Sequence, residues 1–133
     1  MHNVTSQWNQ DQLAFTLSGH FCKNRLNAVY DHVKEAVSDF GGSQWCRLIE
    51  VTECANFEEE IAHAVNDFHL WSLNSGCYAA AVVIPESRLE DVMSLPTIAD
   101  DMSNGLRLFF DKSTAELWLG HMKSLKNNPA KQQ

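Results

Sequence analysis

The sequence has no CxxC pair, no histidine spacing typical of a zinc site, no G-x-S-x-G nucleophile turn and no glycine-rich cradle for a phosphate. Gly41-Gly42, the one glycine pair, falls at the end of an expected helix. Positive charge is scarce as well: the formal charge is −7. Nucleic acid and anionic bilayers are read by basic surfaces, so this balance argues against both. No apolar stretch approaches the ~20 residues that span a bilayer. The start, Met1-His2-Asn3-Val4-Thr5-Ser6-Gln7, lacks the basic-then-apolar layout of a secretory leader. These absences lead us to expect a cytoplasmic protein without catalytic activity, metal, cofactor or transmembrane segment. Peripheral contact with a membrane stays compatible with them.

What is present suits one α/β domain. A chain of 133 residues buries roughly two thirds of its unfolded surface and needs no staple. Cys22, Cys46, Cys54 and Cys77 are expected as reduced, mostly buried thiols. The run Tyr78-Ala-Ala-Ala-Val-Val-Ile84, closed by Pro85, has no charge and no alternation. A strand covered on both faces reads this way, so we expect it as the central strand of a sheet between helices.

Residues 3–8 and 12–18 read as a hairpin, with Leu13, Phe15 and Leu17 sharing a face. A helix is expected over 24–40, its stripe formed by Leu26, Val29, Tyr30, Val33, Val37 and Phe40 and its end by Gly41. Residues 45–51 are a third strand. Asn56 and Glu59 have capping-box spacing for a second helix, with a stripe of Phe57, Ile61, Val65, Phe68 and Ser72. Ser87 with Glu90 repeats that spacing for a short third helix to Leu95, and Ser113 with Glu116 for a fourth. Residues 97–104 are ambiguous, 106–110 form the last strand, and 127–133 a flexible tail after a domain of 1–126. The order β-β-α-β-α-β-α-β-α predicts a mostly parallel five-stranded sheet with an antiparallel edge hairpin and helices on both faces.

The element order, with the closing segment Leu106-Arg107-Leu108-Phe109-Phe110-Asp111-Lys112-Ser113-Thr114-Ala115-Glu116-Leu117-Trp118-Leu119, resembles the SpoIIAA-like family. That family is related to STAS domains and shares features with the lipid-carrying Sec14-type fold. Ala115, Trp118 and Leu119 match its closing helix. The resemblance implies a small non-enzymatic domain, often paired with a second copy, that regulates or binds apolar ligands. STAS anti-sigma-factor antagonists carry a phosphorylatable serine after the third strand. Here that place reads Glu50-Val51-Thr52-Glu53-Cys54-Ala55-Asn56-Phe57, with no serine or glycine, leaving Thr52 as the alternative regulatory residue.

Three groups of residues are candidates for binding. Leu89, Met93, Ile98 and Met102, with Val92 and Leu95, form an apolar segment broken by Pro96, suited to covering an apolar pocket or docking a partner. His20, Lys23 and Arg25 put positive charge at a helix start, where an anionic group could dock. An enzyme reading would rest on His20 and Cys22 alone. His63 and Asp67 share a helix face as an ordinary surface pair, and His69 does not join them. The expected partners are an apolar small molecule and another protein, including a second copy of this chain.

Overall fold

The computed structural model describes residues 6–18, 20–52, 56–57 and 61–127, with backbone alone at 20, 21, 56 and 57. Strands β1 (Ser6–Asn9) and β2 (Gln12–Leu17) pair antiparallel through a two-residue turn in which Gln10 takes a positive φ of 58°. A two-residue strand β3 (His20–Phe21) leads into helix α1 (Lys23–Phe40). Gly41 ends that helix in the left-handed region, φ 70°, its N–H bonded to the Val37 carbonyl. Strand β4 (Trp45–Val51), short strand β5 (Asn56–Phe57), helix α2 (Ile61–Asn74) and strand β6 (Cys77–Val83) follow. A 3-10 turn (Glu86–Arg88) and two short helices, α3 (Leu89–Met93) and α4 (Ile98–Ser103), lead to strand β7 (Leu106–Phe109) and helix α5 (Lys112–Asn127).

The main sheet has the order β1-β2-β4-β6-β7, parallel except for β1, and β3 pairs with β5 in a separate parallel ladder. The order advances one way from β2 to β7, so right-handed crossovers keep α1, α2 and α3–α4 on one side. There Leu13, Phe15, Ile49 and Val51 pack against Leu26, Val33, Ile61 and Phe68. The other face carries Cys46, Leu48, Ala79, Ala81 and Phe109, covered by Ala115 and Leu119 of α5. Alanines on both facing surfaces let this helix lie close to the strands.

Several sequence expectations need correction. Most of the run Tyr78–Ile84 lies in β6, an inner strand covered on both faces with Ile84 just past its end, but the middle of the five is β4 (Trp45–Val51). Asn56 does not cap α2: it pairs with His20 in β5, and the helix is described from Ile61. Glu59 lies outside the described residues. Ser87 sits inside the 3-10 turn, and α3 begins without a side-chain cap. At α5 the cap is Asp111 rather than Ser113: its Oδ1 accepts from the Thr114 N–H at 2.8 Å. Residues 97–104 hold a helical turn and a half, and α5 continues through Asn127. Residues 128–133 of the expected tail lie outside the described residues.

Candidate functional site

An irregularity between β4 and β6 shapes the site. Trp45 pairs with Cys77 and Arg47 with Ala80, so β6 spends one residue more than β4 there. Cys77 and Ala80 consequently face the same helix layer although three apart. Arg47, with the parity of Trp45 and Ile49, points into that layer and is only 3% exposed.

Its Nη2 lies 3.0 Å from Nδ1 of His69 on α2, and Nε2 of the same ring lies 2.9 Å from the Asn104 carbonyl. A carbonyl only accepts, so Nε2 carries the hydrogen and Nδ1 accepts from the guanidinium. Burial, then the Arg47 charge, holds His69 below its ordinary pKa and keeps the ring neutral. Both nitrogens are thereby committed, which leaves neither for base catalysis. The Arg47 guanidinium also sits 4.9 Å over the Phe68 ring, and Phe68 stacks on Tyr30 at 3.9 Å.

Two buried polar groups in this layer stay unmatched. Among the described residues Arg47 Nε and Nη1 have no hydrogen-bond partner, nor does Oδ2 of the buried Asp101 on α4. Asp101 Oδ1 accepts from Asn66 at 2.7 Å, and burial pushes its carboxyl up toward the neutral form.

Beside Arg47 lies a cavity of about 80 Å³. One water needs ~10–15 Å³ of such space, so the cavity has room for a small organic group. Phe15, Leu17, Ile49 and Val51 form its sheet side, Tyr30 and Phe68 its helix side, and Val92, Leu95 and Ile98 its cover. Among the described residues Arg47 is the single charged one in the lining. No protein-family model matches the chain, and no curated protein matches its sequence.

The structure places the sequence-derived candidates unevenly. Of the four named apolar residues, Ile98 lines the cavity. Leu89 is half-buried against the same core without lining the cavity, while Met93 and Met102 are 47% and 36% exposed. Val92 and Leu95, from the same segment, do the covering instead. Lys23 and Arg25 occupy the first turn of α1, where Arg25 donates to the Ser18 carbonyl at 3.0 Å. The His20 side chain lies outside the described residues. Cys22 occupies the N-cap position of α1, half-buried. Thr52 follows β4, half-buried, its N–H bonded to the Leu17 carbonyl. Burial pushes the Cys46 thiol up to about 11 and raises that of Cys77, the opposite of what a reactive cysteine needs. Among the described residues no cluster of three or more histidines, cysteines or carboxylates is placed to hold a metal ion, and no helix is long and apolar enough to cross a membrane.

Sequence reasoning missed Arg47, His69 and Asp101. The signal was present for Arg47: a charged residue at a core-facing position of a strand in which Glu50 alone is not fully buried.

Proposed function

We propose that this chain is a non-catalytic binding module of the SpoIIAA-like type that takes an apolar ligand into the cavity beneath residues 89–102. The observation that carries this reading is the cavity itself, apolar on nearly all sides and closed by two short helices rather than by a long one. That cover is tied to α2 at three points: Thr97 Oγ1 to the Ala62 carbonyl, Asn66 to Asp101, and His69 to the Asn104 carbonyl. Helices of five and six residues have little stability of their own, so the cover is the natural part to lift for entry. The committed imidazole of His69 and the buried thiols of Cys46 and Cys77 support a binding role over a catalytic one. The STAS-type alternative, regulation by phosphorylation at Thr52, is less well supported because that residue is half-buried with its amide engaged.

Native mass spectrometry of the purified chain, with solvent extraction of what accompanies it, tests the proposal. A co-purified apolar molecule, lost when Ile98→Trp fills the cavity, is the expected result. Protein that emerges free of ligand and gains no thermal stability from apolar compounds would overturn it.

A further inference from the structure

We propose that the ligand is an apolar monocarboxylic acid whose carboxylate pairs with Arg47; the inference rests on the cavity being a ligand site. A guanidinium stays charged at any pH a protein meets, and a charge sealed away from water is tolerated only when paired. Arg47 is 3% exposed, yet its Nη2 donates to a neutral ring, the Cys77 thiol beside it is neutral too, and among the described residues Nε and Nη1 have no partner. Among the described residues no carboxylate stands at ion-pairing distance from it. Asp101 does not fill that place: Oδ1 is held by Asn66, and Oδ2 meets no donor among the described residues.

Among the described residues, a buried positive charge thus stands at the edge of an apolar cavity with no anion at ion-pairing distance. Ordered water can satisfy the free N–H groups but not the charge. The rest of the described lining is apolar apart from the Tyr30 hydroxyl, which suits a molecule with one charged end and a hydrocarbon body. A phosphate, with more oxygens to satisfy, would find too few donors here.

The test compares matched probes, hexanoate and 1-hexanol, against the full chain by isothermal calorimetry at neutral pH. Hexanoate is expected to bind about tenfold tighter or more, the worth of one charge-assisted hydrogen-bonded pair. Arg47→Met should bind the alcohol as before and lose the preference for the acid. Arg47→Lys, which keeps the charge but not the planar fork, should keep part of it. Equal binding of acid and alcohol to the unaltered chain, or an acid preference that survives in Arg47→Met, would overturn the Arg47 anchor and leave the apolar cavity reading standing. Binding of neither probe, nor of longer homologues, would overturn both. Should Arg47→Met fail to fold, the acid–alcohol comparison on the unaltered chain and on Arg47→Lys decides alone.

Discussion

Arg47 and His69 fix each other: the guanidinium donates to Nδ1 at 3.0 Å, and burial, then the Arg47 charge, keeps the ring neutral. The folded pKa of His69 lies below its ordinary value, so as pH falls the unfolded chain takes up the proton first. The stability tied to this group is complete above the unfolded value of about 6.5 and is lost below it. Urea denaturation should show stability falling as pH drops from about 7.5 to about 5.5, with that component missing in His69→Gln. An equal slope in both proteins would show that His69 titrates alike folded and unfolded.

Asp101 acts with the opposite sign. Its folded pKa is raised, so the fold prefers the neutral acid and loses stability as pH rises through that folded value. Asp101→Asn keeps an acceptor for Asn66 and removes the titration. Its stability relative to the unaltered chain should therefore improve with rising pH. A difference that stays flat with pH would contradict this.

Gly76 sits at φ 92° between α2 and β6, its carbonyl accepting from Trp45 N at 3.0 Å. A Cβ there would collide with the Ser43 carbonyl oxygen. Gly76→Ala combines left-handed backbone with that backbone clash and should cost about 1–3 kcal/mol in chemical denaturation. Gly41→Ala, where a Cβ meets nothing within 4 Å, should cost less.

Asp111 and Ser113 separate the observed cap of α5 from the expected one. Thr114 donates to Asp111 through both its backbone N–H and its hydroxyl, and these bonds, the backbone one foremost, hold the carboxyl below the usual range. Asp111→Ala should lower the melting temperature more than Ser113→Ala. The gap should close in acid, as pH falls through the depressed folded pKa of Asp111.

Much of the architecture was legible because the physics behind it is local. The stripe of α1, its glycine stop, the strands covered on both faces and the hairpin each leave a pattern in consecutive residues. Helix starts were read less well: Asn56, Ser87 and Ser113 all have capping-box spacing, yet Asn56 is taken up by pairing with His20 and Asp111 competes with Ser113 two residues earlier. The site was legible only in part. The 89–102 segment does cover a cavity, but which of its residues face inward depends on the break at Pro96, which sets α4 off from α3. Arg47, His69 and Asp101 come from three separated elements, and no spacing in the chain announces their meeting.

Among the described residues, α5 is the one helix that covers the second side of the sheet. The ribosome delivers that helix after every strand it covers, so a growing chain displays Leu48, Ala81 and Phe109 to its surroundings until the cover emerges. Loss or delay of this single segment would leave a sticky surface in place of a finished fold, which makes the stretch after Phe110 the point of greatest risk for aggregation during synthesis.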